Sequence, residues 1–73
     1  MNGVVIFWTI HDLFVLEEAL VAAGVEVKAV PTPRILSSDC GTALRFSLDD
    51  MEQVRRCVSR TGVEIQGIHE LAG

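Results

Sequence analysis

The 73-residue chain carries ten Asp and Glu against six Lys and Arg, a net charge of -4, which excludes the clustered basic residues that phosphate binding requires and so excludes nucleic acid as a partner. With 49% apolar and 22% charged residues the composition is that of one small globular domain over residues 1–73 rather than a disordered segment, though a chain this short buries only about 60% of its unfolded surface. No apolar run reaches the roughly 18 residues of a membrane span, the N-terminus lacks signal-peptide features, and two cysteines suit a reducing compartment, so the expectation is a cytoplasmic protein with no membrane association.

Gly3 to Trp8 is a continuous apolar run rich in β-branched and aromatic residues, which predicts a strand covered on both faces. Thr9-Ile10-His11-Asp12 is a helix start, with Thr9 able to cap and Asp12 three residues on. The helix it opens runs toward Gly24, with Leu13, Leu16, Ala19, Leu20 and Ala23 as its inward stripe. Phe14 and Val21 fall outside that stripe, beside Glu17 and Glu18; they are expected to be partly buried at the edge of a small core, with a self-association patch as the other reading.

Val25 to Val30 alternates and ends at Pro31, predicting a second strand. Thr42 to Ser47 alternates again, Leu44 and Phe46 inward and Arg45 outward, as a third. Ser47 or Asp49 then caps a second helix, acidic at its start and basic toward its end, with Met51, Val54 and Val58 buried, Cys57 a small core residue, and Gly62 as its stop. Val63 to His69 is the fourth strand, with a bulge at Gly67.

The order β-α-β-β-α-β predicts an α+β, ferredoxin-like two-layer sandwich, a four-stranded sheet with two helices on one face. The other sheet face then has to be solvated or covered by a partner. Right-handed crossovers bring three connections to one end of the sheet: Thr9 to Asp12, Pro31 to Gly41, and Thr61-Gly62.

The segment from Pro31 to Gly41 is the candidate site, because it is longer than the usual link of about four to six residues. Cys40, in a polar setting next to Gly41, is expected to be an accessible thiol. Arg34, His11, Ser37, Ser38 and the amide of Gly41 are the candidate binding groups that stabilise a thiolate or a bound anion, while the Asp39 carboxylate opposes that charge. The cysteines and histidines show neither CxxC nor HxxxH spacing, so no metal site is expected. Arg55, Arg56 and Arg60 read as a solvated helix face.

Thr9-x-His11-Asp12, Glu17, Pro31-x-Pro33-Arg34-x-x-Ser37-Ser38-x-Cys40-Gly41 and Gly67 together resemble the small bacterial selenium/sulfur carrier-like family, over nearly the whole chain. The Pro-Arg-x-x-Ser-Ser-x-Cys-Gly segment is the specific part. Ile10 between Thr9 and His11, and the bulky Phe14 and Leu16, depart from the pattern. The resemblance implies a carrier or accessory protein rather than a turnover enzyme. Cys40 would hold sulfur or selenium as a persulfide or selenopersulfide, without a cofactor, between a donor such as a cysteine desulfurase and an acceptor. A non-catalytic module that binds a small anion or another protein is the alternative, and a homodimer is open in either case.

Overall fold

In the structure, a computed structural model that describes residues 1–36 and 39–72, Gly3–Phe7 forms strand β1 and every one of its residues is buried. Its place in the sheet explains this. The strand order is β2-β3-β1-β4 with every neighbouring pair antiparallel, so β1 is central and both of its faces are covered. This is the β-α-β-β-α-β, ferredoxin-like arrangement expected from the sequence. Trp8, beyond the strand, is exposed.

Helix α1 spans Ile10–Ala22, and the side chain of Thr9 accepts from the Asp12 N–H at 3.3 Å, satisfying one of the free donors of the first turn. Leu13, Leu16 and Leu20 are buried, but Ala23, assigned to the inward stripe from the sequence, is an exposed C-cap residue. Phe14 and Val21 are also more open than expected, 58% and 63% exposed rather than tucked against the core edge. Gly24 turns the chain with φ of 81°, and Val25 drops into the core with its N–H bonded to the Leu20 carbonyl. That bond keeps Val25 out of the sheet, and β2 begins later, as Val27–Pro31.

Strand β3, Thr42–Phe46, lies between β2 and β1 with Leu44 and Phe46 fully buried. Gly3 pairs with Phe46, and the Phe46 ring lies so close that a Cβ on Gly3 would meet it at 2.5–2.8 Å. Glycine there makes room for the ring. The Ser47 side chain accepts from the Asp49 N–H, yet what it caps is a 3₁₀ turn, Leu48–Asp50, rather than the second helix directly. Helix α2 follows as Met51–Thr61 and ends at Gly62, whose φ of 73° is the left-handed cap geometry. Val54 and Cys57 are buried, with Met51 and Val58 packed partly against them.

Strand β4 is Ile65–Glu70, starting later than the sequence suggests. Opposite it, Ile6 pairs with Gly67 and Phe7 with Ile65, so Gln66 is the extra residue of a bulge.

Two apolar clusters hold the layers. On the helix side Val5, Phe7, Leu44 and Phe46 of the sheet meet Leu13, Leu16, Leu20, Val54 and Cys57 of the helices. On the opposite face Val4, Ile6 and Ala43 are also buried, because Val30, Leu36 and Leu71 of the same chain lie against them. The expectation of a solvated or partner-covered face is therefore corrected: the chain supplies that cover itself, with the β2–β3 connection contributing Leu36 and the C-terminal tail Leu71.

Candidate functional site

Because β1 and β2 run one way and β3 and β4 the other, the ends of the first pair and the starts of the second lie at one end of the sheet. The α1 start, the β2–β3 connection and the turn after α2 share that end, as the topology argument requires.

The β2–β3 connection, residues 32–41, is clasped at its base by one residue. The Thr32 N–H donates to the Gly41 carbonyl at 2.9 Å, and the Thr32 hydroxyl donates to the Cys40 carbonyl, also at 2.9 Å. The first bond extends the β2–β3 ladder one pair past Pro31 and Thr42. Farther out the chain turns back, the Leu36 N–H donating to the Pro33 carbonyl at 3.0 Å. That turn leaves Arg34 and Ile35 exposed, Ile35 at 82%, and returns Leu36 to the sheet. On the descending side the Asp39 N–H donates to the Gln66 side-chain carbonyl at 3.1 Å, so the bulge of β4 holds the connection from the other flank.

Cys40 is only 7% exposed and belongs to the helix-side core cluster, together with Phe7 and Leu44. This corrects the expectation of an accessible surface thiol. The reason is alternation: with the ladder continued through Gly41, Cys40 has the same parity as Thr42, Leu44 and Phe46 and points to the helix side, despite its polar neighbours in the chain. Gly41 and Asp39 are exposed, and His11 is exposed in the first turn of α1. Ser37 and Ser38, both candidate binding residues, lie outside the described residues. The structure thus brings Cys40, Gly41, Arg34 and His11 to one end of the sheet, with the thiol underneath and the polar groups outside.

Three residues that hold this region were not singled out from the sequence: Thr32, Leu36 and Gln66. For Thr32 a signal was available. Between Pro31 and Pro33 it has the only N–H of the triplet, so any backbone donor at the mouth of the connection has to be its own. Gln66 precedes Gly67 in a strand where a bulge was expected, and bulges re-aim side chains.

Cys57 is 2% exposed at the floor of a hollow whose other lining residues are Ala23, Gln53, Arg56 and Arg60. Arg60 donates to its Sγ at 3.5 Å, while Arg56 pairs with Glu52 at 3.1 Å on the open helix face. Among the described residues no group of three or more His, Cys, Asp and Glu is placed to hold a metal ion, and no helix is long and apolar enough to cross a membrane.

The fold and this end of the sheet define a small ferredoxin-like domain that presents a cysteine-containing connection between its second and third strands. The sequence model of the family described as "Putative Se/S carrier protein-like" matches residues 2–70, and the chain belongs to that family. No curated protein and no solved structure matches it.

Proposed function

We propose that the protein is a sulfur or selenium carrier of the cytoplasm and that Cys40 holds the chalcogen. Family membership supports the carrier class. The observation that directs the reading to Cys40 rather than Cys57 is the clasp: Thr32 donates to the carbonyls of both Cys40 and Gly41, in a connection at the end of the sheet where three connections meet. Cys57 lies in the middle of α2 on its buried face, with a packing role that accounts for it.

The step is thiol exchange. The Cys40 thiolate attacks the outer sulfur of a donor persulfide, a new S–S bond forms on Cys40, the donor S–S bond breaks, and the donor leaves as its thiolate. Delivery to an acceptor thiolate is the same step in reverse order. Arg34, His11, Ser37, Ser38 and the Gly41 amide are the groups assigned to the anion that arrives or leaves. Since the thiol is nearly covered, donation requires the connection to loosen around Thr32, and the bound chalcogen is sheltered from bulk thiols once it closes.

Incubation with a cysteine desulfurase and isotopically labelled cysteine, read by intact mass, tests this. One labelled sulfur atom is expected on the wild type and on Cys57→Ala, and none on Cys40→Ala. Absence of added sulfur on the wild type, or unchanged addition on Cys40→Ala, rejects the reading. Thermal stabilisation by small oxyanions that survives Cys40→Ala would instead favour an anion-binding module centred on Arg34.

A further inference from the structure

The two edges of the sheet differ. On β4 the bulge at Gln66 distorts the ladder, a device that blunts an edge against pairing. On β2 the register is regular, and the strand, though short and carrying Lys28 and Pro31, has no bulge. Thr32 donates inward to Gly41 and the β2–β3 pairs run without a shift, so the N–H and C=O groups of Lys28 and Val30 also point inward. Those of Val27 and Ala29, and the carbonyl of Pro31, point outward from the sheet.

Beside that edge lies an uncovered apolar flank. Leu13, Leu16 and Leu20 turn α1 onto the sheet, while Val15, Ala19 and Ala22 line a hollow shared with Thr61 of α2. Ile10, Phe14 and Val21, spaced four and seven residues apart, occupy the third side, away from α2, with Glu17 between Phe14 and Val21 as its one charged residue. All three are exposed. Helix α1 packs over β1, β3 and β2, so its side away from α2 faces the β2 edge, where Ala29 and Pro31 are themselves exposed on the helix side of the strand.

We propose that a second copy of this chain pairs with this edge, β2 against β2 antiparallel about a two-fold axis at Ala29. The inference is independent of the carrier reading. What commits it to a second copy is that the edge is self-complementary. With Ala29 opposite Ala29 of the other copy, Val27 falls opposite Pro31, and Lys28 opposite Val30. Each outward N–H of Val27 and Ala29 then meets an outward carbonyl, of Pro31 and Ala29 respectively, for four bonds across the axis. The N–H that Pro31 lacks is missing only at the two ends of the paired stretch. Along the paired strands no like charges stand opposite each other, since Lys28 faces a valine and Glu26 faces Thr32. The sheet becomes one of eight strands with all four helices on one face, and the Phe14 and Val21 flanks of the two α1 helices come together over the junction.

The test is solution mass by light scattering and sedimentation from micromolar to millimolar protein. Twice the 8.0 kDa chain mass is expected for the wild type. Ala29→Pro removes an outward donor that the β2–β3 ladder does not use, so the expected species is a folded monomer. Phe14→Glu with Val21→Glu acts on the exposed flank without touching the strand and is also expected to be monomeric, which keeps the test sound if the proline variant does not fold. A wild type that stays at the single-chain mass throughout overturns the proposal, as does a dimer that persists in the flank variant.

Discussion

Replacing Thr32 by Val probes the clasp that covers Cys40. The side chain keeps its branching but loses the hydroxyl that donates to the Cys40 carbonyl at 2.9 Å, while the backbone bond from Thr32 to Gly41 remains. A partly buried bond of this kind contributes about 1 kcal/mol. If Cys40 reacts only from an opened connection, the opened population rises by the corresponding factor, about fivefold at 25 °C. The assay is iodoacetamide labelling under native conditions, with the two cysteines resolved by peptide mass. Cys57, 2% exposed within α2 and packed in the core cluster, serves as the internal reference for unfolding of the core. The expectation is that Cys40 labels faster than Cys57 in the wild type, and that Thr32→Val, which destabilises the closed state against the opened and the unfolded chain alike, raises both rates about fivefold relative to wild type. Equal rates at the two cysteines in the wild type would show that Cys40 is reached by global unfolding, and either that result or a Thr32→Val variant that leaves the Cys40 rate unchanged would refute the reasoning.

Two further substitutions test how the scaffold is held. Gly3→Ala puts a methyl group 2.5–2.8 Å from the Phe46 ring, which is fully buried and backed by the core, so the variant is expected to lose stability and to recover part of it in the Gly3→Ala, Phe46→Leu double variant. Overpacking of this kind costs about 1–3 kcal/mol, and each kcal/mol lowers the melting temperature of a domain this size by roughly 4–8 °C; an unchanged melting temperature would mean that the ring does not lie over Gly3. Thr9→Ala removes the α1 cap, which accepts from the Asp12 N–H and donates to its carboxylate, and is expected to cost about 1 kcal/mol in urea unfolding and to raise Cys57 labelling about fivefold while leaving the Cys40 rate unchanged.

The element order was legible because each segment has one clear period and its own punctuation. Leu13, Leu16 and Leu20 recur at helical spacing after a threonine cap, Leu44 and Phe46 alternate, and Gly24 and Gly62 adopt the positive φ expected of helix stops. Boundaries were less legible. Val25 looks like the first residue of a strand, but its N–H is claimed by the Leu20 carbonyl at the end of α1. Ser47 looks like a helix cap, and it caps a 3₁₀ turn because α2 starts only at Met51. In both places a local bond took a backbone group that propensity assigns elsewhere.

For the candidate site, the amino-acid order by itself determined that a long, cysteine-containing connection joins two strands, and the β-α-β-β-α-β order determined which other connections share its end of the sheet. Only the tertiary structure decided how that cysteine is presented. The residues around Cys40 in the chain are polar and signal a surface. Its side chain is directed by the ladder, which Thr32 prolongs to Gly41, and alternation then turns the thiol into the helix-side core. The same holds for the opposite sheet face, where Val4, Ile6 and Ala43 need cover but nothing in their own segment names it. The cover comes from Leu36 and Leu71, distant in the chain, because a sheet face is closed by whichever side chains the fold carries across it.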